Sequence, residues 1–291
     1  MGVFDRDNQP FDDEGIANHI SQAIAAKPPQ GLLLESVYQT LKLAFKPALF
    51  KQENIPDGPC LFVANHALFA LDGMMFLPLM LHDHGRFIRS MSDKALWNDL
   101  SKDMLINSGG IIGDPRVCSA LMENGNDLLV FPGGAYEACK TKAESYKLMW
   151  KERYGFIKLA AKYGYTIMPV AFVGPDEFYS HRIEGQDIPN TLMGKLMRNL
   201  GVLNDNTRTD ILPPIPSGVL GTLIPKPHPV YIQFGEAVDL SDFEGKTLTT
   251  KQLQTFRSRV ATEIETGLSD LLEVRDKEKS NQSSLRRWLT R

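Results

Sequence analysis

The chain of 291 residues is 43% hydrophobic, 23% charged and 9% aromatic, an ordinary globular mix that excludes disorder along most of its length. Its 32 basic residues against 35 acidic ones leave a net charge of −3, so nothing global favours nucleic acid, whose binding domains usually show a pI above about 9. Cys60, Cys118 and Cys139 lie far apart with no C-x-x-C pair, which leaves neither a disulfide framework nor a zinc knuckle and suits a reducing compartment.

The first residues are acidic at Asp5, Asp7, Asp12, Asp13 and Glu14, where a secretory leader would carry positive charge and then an apolar core. Arg6 stands where a myristoylation signal wants Ser or Thr. Ile16, Ile20 and Ile24 recur at spacing four and predict a helix over 11–25, broken by Pro28-Pro29 and Gly31. A second helix over 32–49 would carry Leu34, Val37, Tyr38, Leu41 and Phe45 on one face, with Lys42, Lys46 and Lys51 along or just after it. Pro56-Asp57-Gly58 reads as a turn.

From Cys60 the pattern changes. Cys60–Ala64 is apolar without alternation, as in a strand buried on both faces. A helix over 73–82, bent near Pro78, a strand Phe87–Met91 and a helix over 115–124 with Pro115 in its first turn follow. Asp127–Phe131 is a strand running into Pro132-Gly133-Gly134, and Phe156–Tyr163 a helix that Gly164 ends. Thr166–Val173 and Val230–Phe234 are further strands, and Leu248–Leu272 a long helix. Strands alternating with helices predict an α/β fold, a mostly parallel sheet flanked by helices, preceded by an N-terminal helical segment. We divide the chain into that segment at 1–52, an α/β domain at 53–275 and a basic tail at 276–291 with five positive and two negative charges. The stretch 201–229, rich in Pro, Gly and Leu/Ile, is the irregular connection. Its part 211–225 is the longest run without Asp, Glu, Lys or Arg, with fifteen residues and four prolines. No conventional transmembrane helix is therefore predicted, and contact with a membrane surface remains open.

Four segments carry candidate chemistry. Asn65-His66 follows the buried strand, and Asp72 comes six residues later. Ligand sites of open α/β sheets lie at the carboxyl ends of strands, so His66 is a candidate general base and Asp72 its orienter. Six residues of helix turn about 600° and leave two side chains about 120° apart, and six of strand separate them by about 20 Å. The pair meets only if a turn leads into a helix. The plainer reading is an unrelated histidine and an aspartate that caps the helix.

The second segment is Gly109-Gly110 through Arg116, where Arg116 in a first helical turn can grip a phosphate or carboxylate, or simply follow a Gly-rich turn at the surface. Third, the Pro132-Gly133-Gly134 turn after Phe131 can bring backbone N–H groups to an anion, or be an ordinary tight turn. Fourth, Met168-Pro169-Val170 places a proline inside a strand. His82 and His84 flank Asp83 without a third metal partner, so a solvated helix end is expected there and no metal. Tyr179 and His181 follow the Pro169 strand and are placed near an acceptor site, and His228 belongs to the Pro-rich approach to the last strand.

In order and rough spacing these segments resemble the four blocks of the glycerolipid acyltransferase superfamily: N-H-x4-D, G-x5-R, F-P-E-G and V-P-V/I. Here they stand as Asn65-His66…Asp72, Gly110…Arg116, Phe131-Pro132-Gly133-Gly134 and Met168-Pro169-Val170. The resemblance covers about 60 to 240. Gly133-Gly134-Ala135-Tyr136-Glu137, Tyr154-Gly155-Phe156 and the stretch Ile224 to Glu236 are similar to the subgroup of diacylglycerol acyltransferase-2-like and phytyl-ester-synthase-like proteins. Two departures stand out. The gap between His66 and Asp72 is five residues rather than four, as in that subgroup. The F-P-E-G-T-R of the family is Phe-Pro-Gly-Gly-Ala-Tyr, without its Glu and Arg. The family associates those residues with a phosphorylated acceptor, so their loss shifts the expectation toward a neutral alcohol, while Arg116 keeps a phosphorylated one in play.

The resemblance implies transfer of a fatty acyl group from a thioester to a lipid hydroxyl. Acyl-CoA or acyl-carrier protein would be the co-substrate, with no cofactor and no metal. His66 would take the hydroxyl proton while Asp72 fixes its tautomer. Asn65, Gly110, Arg116, Phe131, Pro132, Gly133, Gly134, Glu137 and Pro169 would line the substrate, and the Gly133-Gly134 turn would hold either the oxyanion or the acceptor. The expected partners are the acyl donor and a membrane surface, with a cytoplasmic, peripherally bound protein and no nucleic acid. The oligomeric state stays open. A catalytically silent lipid-binding relative and an acyl thioesterase are the alternatives. A serine hydrolase is disfavoured, since no G-x-S-x-G occurs.

Overall fold

The computed structural model describes residues 12–98, 100–200, 211–279 and 283–290. Seven strands form one sheet: β1 (Ala48–Phe50), β2 (Cys60–Ala64), β3 (Arg89–Ser92), β4 (Gly110–Ile112), β5 (Leu128–Val130), β6 (Thr166–Val173) and β9 (Tyr231–Phe234). Their order is β1-β9-β6-β2-β5-β3-β4. Every pairing is parallel except β6 with β9. The remaining strands, β7 (Ser180–Ile183) and β8 (Ile215–Ser217), make a separate antiparallel pair.

The uniform hydrophobicity of β2 has its reason in two apolar layers. Leu61 and Val63 face one layer with α5 (Pro115–Glu123), α7 (Gly155–Lys162) and α9 (Thr250–Lys279). Cys60, Phe62 and Ala64 face the other, under α2 (Leu32–Phe45) and α3 (Leu71–His84). The next strand divides in the same way, with Ile167, Ala171 and Val173 on the first face and Met168, Val170 and Phe172 on the second. At the amino ends of β2 and β5, Arg86 holds Asp127 through Nε at 2.9 Å and Nη2 at 2.5 Å, and Asp127 accepts the Cys60 N–H.

The N-terminal helices pack on this core. Ile16 and Ala23 of α1 (Asp13–Ala25) join the first layer, and His19 accepts the Ile112 N–H of edge strand β4 at 3.1 Å. Tyr38, Leu41 and Phe45 of α2 join the second.

The predicted helix over 32–49 is corrected: α2 stops at Phe45, and Ala48–Phe50 is an edge strand parallel to β9. Pro47 withdraws the N–H that a continuing helix needs. Gly110, read as part of a turn, opens β4. The helix predicted from 73 begins at Leu71 and runs through Pro78, and the last long helix reaches Lys279 rather than Leu272. The strands at 60–64 and 166–173 lie where the sequence places them. Of the irregular stretch 201–229, residues 201–210 lie outside the described residues, as do 280–282 and 291 of the basic tail and the Met1-Gly2 start. Short helices α4 (Lys102–Asn107), α6 (Gly134–Ala138), α8 (Leu192–Asn199) and α10 (Ser284–Leu289) complete the described elements. None of the described helices is long and apolar enough to cross a membrane.

A close helix–sheet approach depends on Gly267 of α9, where an added Cβ would lie 2.8 Å from Ala171 Cβ of β6. A helical glycine costs about 1 kcal/mol relative to alanine, and overpacking a core costs about 1–3 kcal/mol. With part of the glycine cost relieved, Gly267→Val is expected to lower unfolding free energy by about 0.5–2.5 kcal/mol. The urea midpoint measures this, and an unchanged or higher midpoint would refute the packing role.

Candidate active site

The site grows from the carboxyl end of β2. Asn65, the first residue past the strand, is buried, and its side chain grips the backbone of β6: Nδ2 donates to the Phe172 carbonyl at 3.0 Å and Oδ1 accepts the Phe172 N–H at 2.8 Å. Asn65 thus fastens the strand end to its neighbour instead of facing a pocket. The chain then leaves the sheet at His66 and turns sharply through Leu68–Ala70, with Phe69 at φ 60° and Ala70 at φ 54°. Left-handed backbone at residues with a Cβ costs about 1–2 kcal/mol each, and such strain concentrates at functional sites.

That turn solves the spacing problem. It lets Asp72, in the first turn of α3, come back beneath His66, whose Nδ1 lies 2.9 Å from Asp72 Oδ2 and 3.2 Å from Oδ1. The carboxylate has 0% exposure and also accepts the N–H of Ala67 at 2.5 Å and of Gly73 at 2.6 Å. It is not the helix cap: that position is Ala70. A carboxylate offers only acceptors, so Nδ1 carries the proton and the Nε2 lone pair is left outward. No described residue hydrogen-bonds Nε2, and His66 retains 9% exposure. Phe131 at the end of β5 stacks on the imidazole, with ring centroids 4.0 Å apart and planes 17° from parallel.

The backbone of His66 is clamped as well. Its N–H donates to Glu137 Oε1 at 2.8 Å, and its carbonyl accepts from Lys140 Nζ. Lys140 in turn pairs with Asp176 at 2.8 Å, both buried. Glu137 has 0% exposure and accepts a second N–H, from Met149 at 3.3 Å. Burial pushes its carboxyl up to about 7, against the opposing pull of Lys140 and the His66 N–H. Gly133 makes room for this carboxylate, since a Cβ there would fall 2.0 Å from Glu137 Oε2. The turn is fixed by Gly134 N–H donating to Phe131 O at 2.9 Å and by Arg153 donating to Pro132 O at 2.7 Å.

His66, Asp72, Phe131, Pro132, Gly133, Gly134 and Glu137 are thus brought together. Three predicted residues sit elsewhere. Pro169 lies inside β6, paired with Val63, and its carbonyl accepts the Gly235 N–H. Gly110 begins β4, three strands from β2 and so about 14 Å across the sheet, where a Cβ would meet the Leu105 carbonyl at 2.9 Å. Arg116 stands in the first turn of α5 with its guanidinium already held by Asp114 (3.1 Å) and Asp13 (2.8 Å).

Lys140, Asp176 and Arg153 escape the sequence reading, because each meets its partner only through the fold and belongs to no spaced motif. Tyr179 and His181, placed near an acceptor site, line a recess with Leu68, Lys140 and Lys142. His82 stacks on Tyr38 and bonds Asp83 and Glu35. No group of three or more metal-ligating side chains occurs among the described residues.

Comparison with known proteins covers the stretch that holds these residues. Residues 48–173 match the family described as Acyltransferase, in line with the resemblance of the four blocks to the glycerolipid acyltransferase superfamily. It is similar to phytyl ester synthase 2, chloroplastic, of Arabidopsis thaliana, at 25% identity over 230 residues, 73% of this chain and 32% of that protein. It is also similar to the Gallus gallus DGAT1/2-independent enzyme synthesizing storage lipids, at 30% identity over 123 residues, 42% of this chain and 37% of that one. The chain spans about a third of the length of these curated relatives. Among solved structures, the 1-acyl-sn-glycerophosphate acyltransferase of Thermotoga maritima overlaps 82% of this chain and 80% of its own at 18% identity, with a TM-score of 0.46.

The raised Glu137 carboxyl makes stability depend on pH with a definite sign. Its ordinary value is 4.5 and its folded value about 7. Between these the folded state holds more protons than the unfolded one, so stability falls as pH rises through that window, by up to about 3 kcal/mol from this group. Glu137→Gln removes that contribution. Urea unfolding of both proteins from pH 4.5 to 7 should show the wild type losing ground to the variant as pH rises. A difference independent of pH would refute the assignment.

Proposed function

We propose that this protein is an O-acyltransferase that moves a fatty acyl group from acyl-CoA or an acyl-carrier protein to the hydroxyl of a lipid alcohol, at a membrane surface. The observation that carries the reading is the His66 Nδ1–Asp72 contact of 2.9 Å, with Asp72 sealed from water and Nε2 left free. An alcohol is a poor nucleophile until a base takes its proton, and general-base help is worth about 10²–10⁴ in rate.

His66 Nε2 accepts the hydroxyl proton as the oxygen attacks the thioester carbonyl. Asp72 balances the imidazolium. The tetrahedral oxyanion collapses, the C–S bond breaks, and the departing thiolate takes the proton back from His66. The oxyanion needs preorganised donors. Gly134 N–H is engaged by Phe131 O, which leaves Gly133 N–H as the available amide of the turn. The thiolate leaves readily, so the mechanism needs no covalent enzyme intermediate.

A neutral alcohol is the better acceptor. Arg116 is already neutralised by Asp114 and Asp13, so a phosphate would have to displace a carboxylate to reach it. The names of the relatives carry a phytyl ester and storage lipids, and neither carries a phosphate.

Thiol release from a long-chain acyl-CoA tests the reading, with detergent-dispersed mono- or diacylglycerol, phytol, lysophosphatidate or no acceptor. Release should require an alcohol, be fastest with a neutral one, and drop about 10²–10⁴-fold in His66→Ala. Asp72→Asn should lose up to about 10⁴-fold by presenting the wrong tautomer. Release without acceptor would instead make the protein a thioesterase. Equal background release by wild type and His66→Ala, with CoA and carrier-protein donors alike, would leave the silent lipid-binding reading.

A further inference from the structure

We infer that the loop Val219–Ile224, together with Phe69, forms an apolar lip that this protein inserts into the interface of an anionic phospholipid membrane, directly beside the His66–Asp72 pair. The inference rests on the reading of a lipid substrate delivered from a membrane.

The loop lies in the uncharged run 211–225. Surface loops are ordinarily polar, yet Leu220, Leu223 and Ile224 expose 73%, 71% and 64% of their area. The display is built rather than loose. Gly218 N–H donates to Thr222 O at 2.7 Å, Val219 N–H to Ile224 O at 2.8 Å, and the Tyr179 hydroxyl to Leu223 O at 2.8 Å. Leu220 is held at φ 52°, in left-handed backbone that a bulky residue rarely adopts.

The lip is continuous with the candidate active site. Tyr179 meets Phe69 edge to face, with centroids 5.7 Å apart. Phe69 is 47% exposed, shares the left-handed backbone, and follows His66 by three residues. Tyr179 also lines a recess with Leu68 and with Lys140, whose ammonium binds the His66 carbonyl.

Charge at the base of the lip names the partner. The Arg182 guanidinium lies against Gly221, and no carboxylate pairs with it among the described residues. Lys226 is only 6% exposed and its ammonium has a single hydroxyl partner, Ser180 Oγ at 2.7 Å. The nearby Glu184 is committed to His181 at 2.7 Å. Apolar tips over unneutralised cations fit the boundary between acyl chains and anionic headgroups.

Co-sedimentation with phosphatidylcholine vesicles, with and without phosphatidylglycerol, tests the inference. Wild type should bind the mixed vesicles more tightly than the neutral ones. Leu220→Ser/Leu223→Ser/Ile224→Ser should lose at least about tenfold in binding. Leu32→Ser/Leu33→Ser/Leu43→Ser, on the exposed face of α2, should bind as wild type does. Independently, an environment-sensitive fluorophore on Leu223→Cys should shift to the blue on mixed vesicles, which covers the case of a triple variant that does not fold. Loss of binding in the α2 variant alone, retention in the loop variant, no blue shift, or no binding by wild type would each overturn the inference. Because the readout is binding, a protein that transfers no acyl group still answers, and failure of the lip is distinguishable from failure of the transferase reading.

Discussion

Asp72 keeps a carboxylate where there is no water to solvate it, and much of the surrounding structure follows from that. A buried charge is tolerated only when hydrogen bonds replace its hydration. Here the Ala67 and Gly73 amides and the His66 imidazole do so. Bringing three donors to one carboxylate forces the chain from β2 into α3 to reverse within a few residues, which is why Phe69 and Ala70 adopt left-handed backbone without being glycine. The reversal needs a fixed anchor. Asn65 supplies it by hydrogen-bonding both the N–H and the carbonyl of Phe172 on the neighbouring strand.

A second ring of charge stands behind the first. Glu137 and Lys140 hold the N–H and carbonyl of His66, and Asp176 balances Lys140. This arrangement explains the altered Pro-Gly-Gly block. Where relatives of the F-P-E-G type carry Glu, this chain has Gly133, and the Glu137 carboxylate occupies the space a side chain at 133 would need. Glu137, four residues further along the chain, directs its carboxylate to the His66 N–H. Arg153, far from the block in sequence, holds Pro132 O.

Legibility followed burial. Cys60–Ala64 and Thr166–Val173 could be bounded because strands covered on both faces are apolar throughout. Ala48–Phe50 and Gly110–Ile112 could not. Each is three residues long at an edge of the sheet, and each becomes a strand only because β9 or β3 lies alongside. The β7–β8 pair joins residues more than thirty positions apart, with a proline in one strand, so no local pattern announces it.

The sequence by itself determined the layered α/β plan and the order of the four blocks, and it made His66 and Asp72 candidate partners that could meet only across a turn into a helix, with a capping aspartate as the plainer alternative. Tertiary structure alone decided that Arg116 is neutralised by Asp13 and Asp114, that Asn65 faces β6, that Glu137 and Lys140 clamp His66, and that Leu220, Leu223 and Ile224 are left exposed. The reason is physical. Hydrophobic periodicity is a local property of the chain, whereas the partner of a charge, and whether an apolar side chain is covered, depend on residues that only folding brings near.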